Sequence, residues 1–250
     1  MSTARAADRG YRFIPAVIPY SGGVAAEPGH RLRRARFLDP LPLERGFARI
    51  AAFLQGRGLP LTAFCACELR SPEPFTEAGF RAFNEQYART LAEWGVLLDG
   101  VNPVARSNVC PEIAAPRAPA FHAFCWVEPG EAALPTFAVA GSGEAREGHA
   151  NYRDVTVALG DTSPAGLRAK AEFVLGEMER RMGLLGFAWP NTTAVQAYTV
   201  HDLHPFLADA IVVRGAARHG LTWQYCRPPV QQLEFEMDCR AIAQEWVLPG

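Results

Sequence analysis

Apolar positions recur along this chain at two spacings, and the changes of spacing mark its elements. Over residues 44–54, Phe47, Ile50, Ala51 and Leu54 fall at steps of three and four, which places them on one face of a helix. Gly56 and Gly58 follow as stop signals. A longer stripe, Phe80, Phe83, Tyr87, Leu91 and Trp94, predicts a helix over residues 75–94 that Gly95 ends. Strand-like runs cover 12–18, leading into a glycine turn at 19–23, then 64–69 and 121–127. The stretch before the first helix and the segment 102–109 read as loops, and 128–135, rich in Pro and Gly, reads as a linker.

The second half passes through the same series. A strand over 136–140 meets a turn at Gly141, Ser142, Gly143 and Glu144, a strand over 152–159 follows, and then a long helix begins. Ser163 is its expected N-cap and Pro164 its first residue, and its stripe is Leu167, Ala171, Val174, Leu175, Met178, Met182 and Leu185. A strand over 195–200, a helix over 205–219 and a final strand over 233–237 complete the chain. Ser21 and Ser142 stand 121 positions apart, as do Arg106 and Arg227. Self-similarity of this kind points to a tandem repeat with domains at 1–130 and 131–250.

Length agrees with that division, because 250 residues suit two domains of roughly 120. With 49% apolar and 20% charged residues the composition is that of a globular protein, and no apolar run approaches the roughly 20 residues of a membrane helix. The 25 Lys and Arg balance 26 Asp and Glu, so no global field would hold nucleic acid. An anionic small molecule must then be held by individual arginines. The first residues carry charge but no apolar segment, so a secretory signal is not expected and the cytoplasm is the expected compartment. Cys65, Cys67, Cys125 and Cys239 lie in or beside apolar runs, where reduced thiols behave as small core residues. No cysteine pair has zinc-site spacing, and His201, Asp202 and His204 match no metal signature, so a turn is expected there. No phosphate loop or cofactor motif was found, so neither a cofactor nor a metal is expected.

Several motifs carry a resemblance. Tyr20-Ser21-Gly22, the segment 80–87 with Asn84, and Ala105-Arg106-Ser107 in the first half, with Ser142-Gly143, Arg227 and the late strand containing Glu236 in the second, resemble the Rid superfamily of reactive-intermediate deaminases. His122 stands where the first half would carry its glutamate, and the second half has no matching Asn. The resemblance implies an α+β fold of two tandem Rid-like (chorismate-mutase-like) domains, each a curved mixed sheet backed by two helices. Two repeats in one chain most resemble the 2-aminomuconate and 2-amino-5-chloromuconate type of deaminase from aromatic-compound degradation. The resemblance also implies a homo-oligomer, most simply a trimer.

Chemistry narrows the candidates. Arg106 and Arg227 each offer a rigid fork of donors that pairs a carboxylate bidentately, against the plain alternative of a surface arginine. Glu234, Glu236 and Asp238 share one face of their strand. On a solvated face they are ordinary surface charges; at a pocket their mutual repulsion keeps one of them protonated. Ser21 and Ser142, beside glycines, either point a hydroxyl at a ligand or serve a turn. No nucleophile elbow is present. The expectation is thus a deaminase that hydrolyses the enamine or imine of a small dicarboxylate, with Glu236 and Arg227 catalytic and Arg106, Ser142, Asn84 and Ser21 binding substrate. Chorismatase-like chemistry on chorismate and non-enzymatic ligand binding are the alternatives, and whether the two halves share one site stays open.

Overall fold

A computed structural model of the chain describes residues 3–16, 19–146 and 151–249. In order, its elements are β1 (Arg5–Ala6), β2 (Tyr11–Phe13), β3 (Gly23–Ala26), β4 (His30–Pro42), α1 (Leu43–Gln55), β5 (Phe64–Arg70), α2 (Glu77–Glu93), β6 (Ala105–Pro111), β7 (Ala120–Pro129), β8 (Phe137–Gly143), α3 (Pro164–Leu184), β9 (Ala194–Tyr198), α4 (His204–Phe206), β10 (Thr222–Gln224), β11 (Cys226–Arg227), β12 (Glu236–Ala241) and β13 (Glu245–Leu248). One sheet runs β1-β2-β3-β8-β12-β9-β10, and the other β11-β6-β5-β7-β4-β13.

The same unit occurs twice. Strands β4, β7, β5 and β6 lie side by side in that order, antiparallel at the first two contacts and parallel at the third. Strands β8, β12, β9 and β10 repeat the order and the directions. A parallel pair needs a crossover, which α2 supplies in the first unit and the chain through α4 in the second. The expected α+β architecture of two mixed sheets with helices is therefore observed. Strands nevertheless cross residue 130 in both directions. β3 pairs with β8 and carries β1 and β2 into the second sheet, while β11 and β13 return to β6 and β4.

The shared offset of 121 does not mark equivalent positions. Ser142 lies on β8, whose counterpart is β4, but Ser21 precedes β3, outside the repeated unit. Arg106 lies on β6, whose counterpart is β10, but Arg227 lies beyond it on β11. A constant offset needs connections of equal length, and here β4 runs straight into α1 while a long loop separates β8 from α3.

Each helix forms where its apolar stripe can be buried. α1 buries Phe47, Ile50, Phe53 and Leu54, and Phe47 meets Phe121 of β7 edge-on at 4.8 Å. α2 starts where the Thr76 hydroxyl accepts the Gly79 N–H, at 3.1 Å, and buries Phe80, Phe83, Tyr87 and Leu91. α3 has the expected Ser163 cap and Pro164 start, and buries Leu167, Ala171, Val174, Leu175, Met178 and Met182. All six cysteines are free and buried.

The strands alternate between an apolar face under the helices and an inner polar face. On β12, Met237, Cys239 and Ala241 join the core around α3, which leaves Glu236, Asp238 and Arg240 on the inner side. Glu68 and Arg70 of β5 face the same interior, where Arg34 of β4 donates to Glu68 at 2.7 Å and Arg70 to Gln224 at 2.9 Å. β4, thirteen residues long, reads as a loop because arginines stand on both of its faces: Arg34 pairs with Glu68 and Glu245 in this polar layer and Arg33 with Glu128 on the opposite face, which interrupts the apolar alternation of a strand. β6 likewise reads as a loop in sequence, yet it is a strand. Residues 152–159 form turns rather than the expected strand, the helix expected over 205–219 shortens to α4 and a π-type turn over 207–212, and the last expected strand shifts to β12. Residues 17 and 18, the end of the strand expected from Arg12, lie outside the described residues.

Candidate active site

A cavity of about 170 Å³ opens where β6 of one sheet meets β8 and β12 of the other. Arg106 is its cationic element. It sits on β6, 3% exposed, and its Nη2 donates to Asn84 Oδ1 at 2.6 Å. The sequence of α2 prepares this contact, because Phe80, Asn84 and Tyr87 fall on one helical face. The guanidinium lies 4.8 Å from the ring centre of Tyr87, 5.1 Å from that of Tyr20 and 5.3 Å from that of Phe83. Such a cage of π faces steadies a cation without neutralising it. Nη1 is buried with no hydrogen-bond partner among the described residues, and so is the Nδ2 of Asn108, which lines the same cavity. An unpaired buried donor is costly unless a ligand completes it.

Glu236 faces Arg106 from the second sheet. It is 4% exposed, and among the described residues no donor bonds its carboxyl. Burial pushes the carboxyl well above the usual carboxylate range, and Asp238 and Glu144 push the same way, while Arg181 and Arg106 pull against them. Of the three acids on that face, Asp238 is tied inward, accepting from Ser107 at 2.6 Å, Tyr198 at 2.8 Å and Gln196 at 2.9 Å. Glu234 points outward to His201, at 2.7 Å. Only Glu236 of the three lines the cavity.

Two buried groups fix the surroundings of Glu236. Arg181 of α3 donates to the carbonyls of Ala140 and Gly141, at 2.9 and 3.2 Å, and so holds β8 against the helix. Glu144 accepts the N–H groups of Glu234 and Phe235, at 2.6 and 3.1 Å, and pairs with the fully buried Lys170 at 3.1 Å. The chain leading into β12 is thereby clamped two residues before Glu236. The loop after β8 brings Arg146, Tyr152 and Val155 over the opening, and Tyr152 N–H donates to Glu77 at the start of α2, at 2.8 Å.

Of the residues singled out in the sequence, Glu236, Arg106 and Ser142 meet in this cavity, and Asn84 supports it from behind Arg106. Ser21 does not line it. Its hydroxyl donates to the carbonyl of Pro103 at 3.0 Å and its N–H to Val104, which pins the N-terminal segment to the strand carrying Arg106. Arg227 is not brought to this cavity. On edge strand β11 its side chain points to solvent, 37% exposed, with Nε bonded to Glu112 at 2.8 Å and Nη1 3.7 Å from Glu234. His122 stands on β7 beside Arg70, Glu68 and Arg34; burial and Arg70 hold its pKa down to about 3, so it is neutral. Asn108, Glu144, Arg146 and Arg181 escaped sequence reading. Only Asn108, two residues beyond Arg106 and on the same face of its strand, carried a signal that could have found it.

Comparison with known proteins adds to this geometry. The profile of a family described as 2-aminomuconate deaminase CnbZ matches residues 3–246. The 2-amino-5-chloromuconate deaminase of Comamonas testosteroni is 48% identical over 241 residues, spanning 96% of both chains. A chorismatase crystal structure superposes with a TM-score of 0.54 at 12% identity, over 88% of this chain and 77% of that one, a likeness of fold alone. A RidA protein from an Antarctic Psychrobacter aligns with 43% of this chain and 80% of its own, at a TM-score of 0.30 and 15% identity.

Proposed function

The chain belongs to the 2-aminomuconate deaminase family, and on that premise we propose that it hydrolyses the enamine of a 2-aminomuconate-like dicarboxylate to the 2-oxo acid and ammonia. The observation that carries this reading is the buried Glu236 carboxyl, whose pKa its surroundings raise, across one cavity from an arginine with an unused donor.

The chemistry follows from the protonation state. An enamine is nucleophilic at its β-carbon, and a neutral carboxylic acid at Glu236 can deliver a proton there, leaving a carboxylate and an iminium. The carboxylate then takes a proton from water as its oxygen attacks the iminium carbon. Collapse of the carbinolamine expels ammonia and forms the ketone, so that one water is consumed for each ammonia released. Arg106 and Asn108 hold the substrate carboxylate, which orients the reacting carbon. Ser142 lines the wall beside Glu236 as a further polar contact. On this reading the site is composite, with its cation from one unit and its acid from the other.

Family membership favours a deaminase over the chorismatase-like and non-enzymatic readings. The tandem organisation is supported by the repeated strand order, and association into a homo-oligomer, most simply a trimer, belongs to the same reading. Six free thiols suit a reducing compartment such as the cytoplasm. The test is ammonia release from freshly generated 2-aminomuconate by the purified protein. Steady release above the spontaneous rate is expected, and a rate equal to the spontaneous one overturns the proposal.

A further inference from the structure

We propose that Arg146, at the mouth of the cavity, forms a second anion subsite that holds the far carboxylate of the substrate, so that the pocket selects dicarboxylates. This deepens the deaminase reading and rests on it. Three observations lead there. The deep end already has donors for one carboxylate in Arg106 Nη1 and Asn108 Nδ2. Beyond them the walls turn apolar, with Phe80, Val155, Val230 and Leu233, which suits a hydrocarbon segment and offers nothing to a charge. Besides the buried Arg106, the cation that lines this cavity is Arg146, and it is exposed.

Other arginines of the region are engaged. Arg227 is bonded to Glu112, and Arg181 to backbone carbonyls of β8. The Arg146 side chain has no hydrogen-bond or ion-pair partner among the described residues. Its backbone is held in place. Ala145 bridges Thr156, Val157 N–H donates to Glu144 O at 2.9 Å, and Thr156 Oγ1 donates to Tyr152 O at 2.7 Å. Asn151, which also lines the mouth, spends both ends of its amide on Asp154, at 2.9 Å each, and so leaves the ligand to Arg146. The second charge of a dicarboxylate thus finds its partner in Arg146.

Stable probes separate the two ends. trans,trans-Muconate carries a carboxylate at both ends of a diene, and sorbate is the same diene acid with one carboxylate replaced by methyl. Binding of each to the full chain is measured by titration calorimetry for the wild type, Arg146→Gln, Arg146→Lys and Arg106→Lys. Wild type is expected to bind muconate more tightly than sorbate. Arg146→Gln should weaken muconate by roughly two- to fivefold, the size of an exposed ion pair, and leave sorbate unchanged. Arg146→Lys should recover part of the loss, and Arg106→Lys should weaken both acids. Equal affinity of wild type for the two acids, or an Arg146→Gln variant that binds muconate as wild type does or loses both acids alike, overturns the second subsite and leaves the deaminase reading standing. Failure of wild type to bind either acid, with no ammonia released from 2-aminomuconate, overturns both.

Discussion

The carboxyl of Glu236 occupies the space that a side chain at Gly141 would fill: a Cβ built on Gly141 would lie 2.1 Å from Glu236 Oε1. The two residues sit on neighbouring strands β8 and β12, so the missing side chain of one makes room for the acid of the other. Gly141→Ala is expected to displace the carboxyl, lowering kcat at least tenfold while the circular dichroism spectrum stays that of wild type. Undiminished kcat in this variant would show that the observed position of the carboxyl is not the working one.

Arg106 and Arg227 should separate sharply by kinetics. Arg106→Lys keeps the charge but loses the fork shared between Asn84 and the ligand, so kcat/KM should fall roughly ten- to a hundredfold, the worth of a charge-assisted hydrogen bond of about 1.5–3 kcal/mol. Arg227→Lys, at a half-exposed surface pair with Glu112, should stay within about threefold of wild type. The reverse ranking would restore Arg227 to the site.

Glu236→Gln removes the transferable proton while keeping size and polarity. Its kcat should fall far more than its KM rises. On the proposed mechanism the acid form starts the reaction, and burial raises its pKa, so kcat/KM should decline as pH rises through that raised value. A rate that climbs with pH across the neutral range would mean that Glu236 enters as a base.

The same shift predicts a pH-dependent stability. A carboxyl with a folded pKa above its unfolded value of about 4.3 contributes stability that is fully present below the unfolded value and is lost as pH rises through the folded one. Glu236→Gln should therefore gain on wild type between pH 5 and pH 8 in urea denaturation. A constant difference between the two proteins across that range would contradict the protonated state.

Lys170 and Glu144 form a fully buried pair whose purpose here is to hold the chain before Glu236. Lys170→Met leaves a buried carboxylate uncompensated and should cost about 3–5 kcal/mol of stability. Adding Glu144→Gln should return part of it, because it removes the uncompensated charge while its one amide oxygen still accepts one of the two N–H groups that the two carboxylate oxygens accept in the wild type. A loss under 1 kcal/mol in the single variant would argue against the clamp.

Much of this architecture is legible along the chain. Helices α1, α2 and α3 were legible because each has an uninterrupted apolar stripe with a cap or a stop, and such a stripe has one way to be buried. Glu236, Arg106 and Asn84 were legible from motif resemblance, and the doubled architecture from the repetition of elements. β4 and β6 were not legible, because their inner-facing side chains are polar and are satisfied by partners distant in the chain, such as Glu68 for Arg34 and Asp238 for Ser107.

Which arginine meets the acid depends on folding. Arg106 and Arg227 both lie on strands of the same sheet, yet one is enclosed under α2 beside the second sheet and the other hangs from the sheet edge into solvent. No spacing along the chain encodes that difference, because it depends on which strand is covered. The upward shift of the Glu236 carboxyl likewise comes from the fold. A carboxyl flanked by acids on an alternating strand is charged in water and neutral in a crevice, and the crevice exists only once β6 has closed over β8 and β12.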